Sequence, residues 1–144
     1  MKRMILTQLT LSGNGKKRCG LTFERGLNVI TGDSDTGKTF AFQCINYILG
    51  AETPPKKIVE ANGYNKISLE FTIDDEVYRI ERTIGSSKVL VVHNDNFLTI
   101  PCKHDPANTN NLSRYLLQLL QGHMENVYLK KNKRMLSERF RFVI

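Results

Sequence analysis

Cysteine is scarce in this 144-residue chain, and its placement excludes two classes of protein at once. Cys19, Cys44 and Cys102 are odd in number, far apart and free of any CxxC spacing, so neither a disulfide framework nor a cysteine zinc site is expected. The three are read as reduced and structural. His93, His104 and His123 add no metal-ligand spacing. Long apolar runs are missing too. None approaches the 18 or so residues of a spanning helix, and MKRMILTQLT lacks the apolar core of a signal peptide, so no membrane association and a cytoplasmic location are expected. Acidic residues are outnumbered, 14 against 21 Lys and Arg, which leaves a formal charge of +7. Residues 1–39 carry seven basic residues against three acids, 40–100 six against eight, and 101–144 eight against three. Both ends are therefore basic, a distribution that favours polyanions. With 40% hydrophobic and 24% charged residues the composition is that of a folded domain, and the length allows one domain or less.

What the chain does contain is strongly patterned. Residues 3–11 have a strand's composition, and SGNGKKRCG supplies turn chemistry and a basic cluster, so an opening strand-loop-strand is expected. Leu27 to Thr31 is a short apolar run between Gly26 and Gly32, expected to be a buried strand feeding a tight turn. Ala41, Cys44, Ile45, Ile48 and Leu49 then fall at helical spacing, with Gly50 where a left-handed cap is needed, which predicts a helix over Lys38 to Leu49. Pro54 and Pro55 prevent its continuation. Ile67, Leu69, Phe71 and Ile73 alternate strictly, as do Tyr78 and Ile80 beyond Asp74-Asp75-Glu76. Gly85-Ser86-Ser87 turns the chain into KVLVVHN, and FLTI is a candidate fourth strand of this antiparallel meander. Leu112, Tyr115, Leu116, Leu119 and Leu120 predict a second helix, with Gln118 and Gln121 on its solvated face.

Chemistry concentrates in Gly32-Asp33-Ser34-Asp35-Thr36-Gly37-Lys38-Thr39, a full match to G-x-x-x-x-G-K-[ST] placed between a predicted strand and a predicted helix. In such a phosphate-binding loop, backbone amides from Asp33 to Thr39 cradle the phosphates at the positive end of a helix dipole. Gly37 permits close approach, Lys38 reaches the β and γ oxygens, and the Thr39 hydroxyl is placed to ligate Mg²⁺. Asp33 and Asp35 are expected to project outward, with Asp35 serving the backbone conformation; a competing reading has Asp33 or Asp35 contact a second protomer or the attacking water. No run of four apolar residues ends in Asp-Glu, so no metal-holding acidic pair and no catalytic residue is assigned.

A strand, a basic loop, GLNVITGDSDTGKT, one helix, a proline-containing loop and ISLEFTIDDEVYRIERTI together resemble the N-terminal lobe of SMC, RecF and RecN-type heads, AAA family ATPases of the ATP-binding cassette class. The resemblance covers residues 3–95. It implies an α/β fold, a P-loop NTPase lobe having a mixed sheet with an antiparallel meander and flanking helices. Residues 1–50 would form the strand-loop-strand, loop and helix, 64–100 the meander, and 111–144 a helix and basic segment leading toward a coiled coil or a C-terminal lobe. It further implies ATP and Mg²⁺ as cofactors, and dimerisation of heads around ATP. A second head, or a chain supplying the C-terminal lobe with its Walker B and signature motifs, would be the protein partner, and ATP hydrolysis would require those motifs. DNA is the implied target, in repair, recombination or antiviral defence. By the same resemblance Lys16, Lys17 and Arg18 would lie near the adenosine and α-phosphate, while Lys130, Lys131, Lys133 and Arg134 could track a DNA backbone. Two rival readings are a truncated, non-hydrolysing nucleotide-binding regulator and a basic DNA-binding module indifferent to ATP.

Overall fold

In the computed structural model, residues 2–33 and 37–121 are described. Among them are six strands and two α-helices: β1 (Met4–Ser12), β2 (Cys19–Thr22), α1 (Lys38–Ile48), β3 (Lys66–Ile73), β4 (Glu76–Thr83), β5 (Lys88–His93), β6 (Asn96–Pro101) and α2 (Leu112–Gln121). The strands form one sheet in the order β2-β1-β3-β4-β5-β6, with every neighbouring pair antiparallel.

The alternation that predicted β3 and β4 sets their register. Leu9, Leu69, Ile80 and Val91 stand opposite one another on four consecutive strands, all buried, and form one row of the core face. Gln8, Glu70, Arg79 and Val92 form the matching row on the other face, polar apart from Val92. A register shift between Leu6 and Gln8 lets Leu6 pair with Phe71 and Leu9 with Leu69, so both stay on the inward side although they are three residues apart. The β3–β4 and β5–β6 connections each rest on two residues at positive φ. These are Asp74 (51°) and Asp75 (65°), then Asn94 (47°) and Asp95 (60°), the conformation of a type I′ turn, whose twist matches that of the strands it joins.

Helix α1 lies on β3 and β4 and buries Phe40, Cys44, Ile45, Tyr47 and Ile48. Its end is a Schellman motif. Gly50 has φ of 114°, its N–H bonds the Tyr47 carbonyl at 3.1 Å, and the Ala51 N–H bonds the Asn46 carbonyl at 3.1 Å. Helix α2 is capped by the buried Asn111, whose Oδ1 accepts the Arg114 N–H at 3.0 Å, and it buries Leu112, Leu116 and Leu120. Gln118 is exposed on its outer side.

Two expectations are corrected. The sheet is not mixed, because among the described residues every ladder is antiparallel. The reason lies in Leu27 to Thr31, which joins no ladder. Both edges of β1 are already taken, by β2 and β3, and a parallel strand needs a neighbour reached through a crossover. Without such a neighbour Leu27 is 77% and Val29 70% exposed. The segment is held instead by a local turn in which Asn28 accepts the Glu24 N–H at 2.9 Å and donates to the Glu24 carbonyl at 2.8 Å.

Candidate nucleotide-binding site

The site forms where the chain leaves the Leu27–Thr31 segment and enters α1. Gly37 occupies the N-cap position at φ 84° and ψ 9°, a left-handed conformation that costs a residue with a Cβ about 1–2 kcal/mol. The Ala41 N–H bonds the Gly37 carbonyl at 2.9 Å and closes the first helical turn. The amides of Lys38, Thr39 and Phe40 precede that bond and have no intrahelical acceptor. Among the described residues no side chain caps this end, and no acid stands in its first turn. An uncapped helix N-terminus with no nearby carboxylate on its own first turn fits an anion in the way a triphosphate requires.

Lys38 completes the arrangement. Its Nζ turns back across the loop to donate to the carbonyls of Gly32 and Asp33, both at 2.5 Å. The ammonium is thereby held from the helix end of the loop onto its first two residues. The Thr39 side chain is exposed beside it on the same first turn. These residues fit ATP with Mg²⁺. Lys38 and the helix amides would hold phosphate oxygens, and the Thr39 hydroxyl would ligate a magnesium ion, whose bound chemistry is charge neutralisation between phosphates. Ser34, Asp35 and Thr36 lie outside the described residues, as do Lys130, Lys131, Lys133 and Arg134. Among the described residues no cluster of three His, Cys, Asp or Glu could hold a metal by itself.

The basic cluster sits on the β1–β2 turn. Lys16, Lys17 and Arg18 are exposed, and Lys16 and Arg18 line an open concavity of about 350 Å³ with Ser12, Asn14, Asn65 and Lys66. The connection between α1 and β3 links this turn to the loop. At one point Ile58 lies beside Gly37, 3.7 Å from where a Cβ would be. Five residues later Gly63 lies against the Lys16 stem, where an added Cβ would come within 2.5 Å of Cε. Tyr64 then donates its hydroxyl to the Lys17 carbonyl at 2.8 Å. Five residues span at most about 17 Å, so the basic turn and the phosphate loop flank a single short segment.

Reading the sequence for motifs did not find Asn65 and Lys66 in that concavity, nor Arg82, which is 5% exposed beneath the end of α1. Arg82 was discoverable by parity, since it follows Ile80 by two and so shares its inward face. Cys44 and Cys102 are buried and Cys19 exposed. Burial pushes the Cys44 thiol up to about 12, and it raises the Cys102 thiol as well, so neither is a nucleophile at neutral pH. No helix among the described residues is long and apolar enough to cross a membrane.

Comparison with known proteins gives two findings. A family model described as an AAA domain matches residues 16–139. The DNA repair protein RecN of Rickettsia typhi is 30% identical to this chain over 74 residues, a stretch that covers 50% of the chain and 13% of RecN. The chain thus matches only about an eighth of that relative's length.

Proposed function

The chain belongs to the AAA domain family, and from that premise we propose that it is an ATP- and Mg²⁺-binding lobe of an SMC-like ATPase that acts on DNA. The observation that carries the reading is Lys38, held across Gly32 and Asp33 at the uncapped N-terminus of α1. An ammonium held beside a helix N-terminus is a binding device for a polyphosphate. Lys38 would bind β and γ oxygens, Gly37 would bring the backbone close, and Thr39 would ligate Mg²⁺. Lys16, Lys17 and Arg18, joined to the loop through Ile58 to Tyr64, would face the nucleoside side of the ligand.

The exposed Leu27 and Val29 support the idea that this lobe is completed by another. A segment with two large apolar side chains in solvent and an unused backbone ladder is suited to pairing with a strand from a C-terminal lobe, which would also carry the acidic pair for hydrolysis. ATP would then act by joining two heads, and the DNA repair role of RecN of Rickettsia typhi agrees with a DNA target.

Titration calorimetry with ATP and Mg²⁺ on the parent chain and on Lys38→Ala, with mass recorded by light scattering, tests the reading. Parent binding that falls at least tenfold in Lys38→Ala is expected, equivalent to the loss of about 1.4 kcal/mol or more from charge-assisted bonds. Equal affinity in the two proteins, or no binding by the parent, defeats it. A doubling of mass on adding ATP supports head dimerisation, and unchanged mass assigns that step to the completed assembly.

A further inference from the structure

Arg82 is a buried cation that forms no ion pair among the described residues. Burying a charge is costly unless its donors are met, and an apolar side chain at the same inward position would avoid that cost. The compensation found here is specific. Nε donates to the Ser86 carbonyl at 3.1 Å, and Nη1 donates to the Tyr47 carbonyl at 2.6 Å and the Ala51 carbonyl at 2.9 Å. The guanidinium also lies over the Tyr47 ring, 3.6 Å from its centroid. Tyr47 in turn accepts the Gly85 N–H on its hydroxyl at 2.9 Å. Arginine therefore joins three things: the last turn of α1, the residues just past it, and the turn between β4 and β5.

The same helix begins with Lys38. At 1.5 Å per residue its 11 residues make a rod about 16 Å long, packed on β3 and β4 by Phe40, Cys44 and Ile45, with the Arg82 contacts at its C-terminal end and the phosphate cradle at the other. A 10° tilt about the anchored end would move the cradle by about 3 Å, more than a hydrogen bond to phosphate tolerates. We propose that Arg82 is a positioning residue for phosphate binding: by clamping the C-terminal end of α1 to the β4–β5 turn through Tyr47, it fixes where Lys38 and Thr39 stand. The proposal rests on the reading of Gly32 to Thr39 as a phosphate loop. Arg82 itself stands at the opposite end of α1 from the cradle, so its effect is mechanical, through the helix.

The test uses Arg82→Lys, which keeps the charge but loses the planar fork, and Tyr47→Phe, which keeps the ring and loses only the link to Gly85. Each is examined at 10 °C in the folded state, by ATP·Mg²⁺ affinity and by the backbone amide resonances of Gly37, Lys38 and Thr39. Arg82→Lys is expected to weaken ATP binding at least tenfold and to shift those resonances, and Tyr47→Phe to weaken it two- to fivefold. A folded Arg82→Lys with parental affinity and unmoved resonances overturns the proposal, whatever its melting temperature, because a purely structural or purely electrostatic role would look like that. If Arg82→Lys does not fold, Tyr47→Phe decides by the same two readouts. If the parent does not bind ATP, the phosphate-loop reading fails, and the Gly37–Thr39 resonances still decide whether Arg82 positions this end of the helix.

Discussion

Replacing Leu27 and Val29 together by serine should separate what the segment does in this chain from what it would do in a completed ATPase. Full burial of a leucine or valine side chain is worth about 1.5–3 kcal/mol. Leu27 is 77% exposed and Val29 70%, so only about a quarter of that is realised here. Scaled by the buried fractions, the two residues together contribute about 0.8–1.6 kcal/mol to the fold as it stands. The remaining three quarters, about 2–4 kcal/mol for the pair, becomes available only when another strand covers them, and corresponds to a 30- to 1000-fold change in association. Urea unfolding of the single chain followed by circular dichroism measures the first quantity. A pull-down or titration with the full ATPase head measures the second. The double variant should lose about 0.8–1.6 kcal/mol of stability, be more soluble, and be strongly impaired in assembly. A loss above about 2.5 kcal/mol in the single chain would refute the argument, since it would mean that both side chains are already packed. Unimpaired assembly would refute the pairing.

Two further outcomes follow from particular atoms. Gly20→Ala should detach β2, because a Cβ there would come 1.9 Å from the Leu9 carbonyl oxygen, which is rigid strand backbone. The expected cost is about 3 kcal/mol or more by chemical denaturation, with increased amide exchange at Leu9 to Leu11, and a cost below 1 kcal/mol would contradict the close β1–β2 approach. Stability should also fall as pH rises above about 9. The Cys44 thiol ionises near 9 when unfolded but is pushed up to about 12 by burial, so the unfolded state binds fewer protons in that window and folding is penalised by up to about 1.4 kcal/mol per pH unit. Burial raises Cys102, Tyr78 and Tyr115 in the same direction. Cys44→Ala, compared with the parent at pH 8 and pH 10.5, should show a shallower decline, and an identical slope in the two proteins would contradict it.

Residue order alone carried the local structure. The inward alternation of Ile67, Leu69, Phe71 and Ile73 needs only the period of a strand, and the Asp-Asp and Asn-Asp pairs mark turns whatever surrounds them. Helix α1 could be placed almost to the residue, because its stripe, Pro54-Pro55 and Gly50 are all local signals. The match of Gly32 to Thr39 to the phosphate-loop spacing is local in the same way, and Lys38 donates to the Gly32 and Asp33 carbonyls.

The failures share one cause. Leu27 to Thr31 has the composition of a buried strand, but a strand exists only when a neighbour meets its backbone, and no pattern within five residues says whether that neighbour is present. Strand parity in IERTI places Arg82 on the inward face with Ile80, but only the packing of α1 against the sheet supplies the Tyr47 and Ala51 carbonyls that, with that of Ser86, meet its guanidinium. The amino-acid sequence by itself therefore determined the paired strands, the helices and the turns, whose hydrogen bonds and dihedral preferences close within a few residues, and it carries the spacing of Gly32 to Thr39. Tertiary structure decided which strand lacks a partner and which cation holds the helix, because both depend on groups tens of residues apart that meet only when the sheet and α1 are packed together.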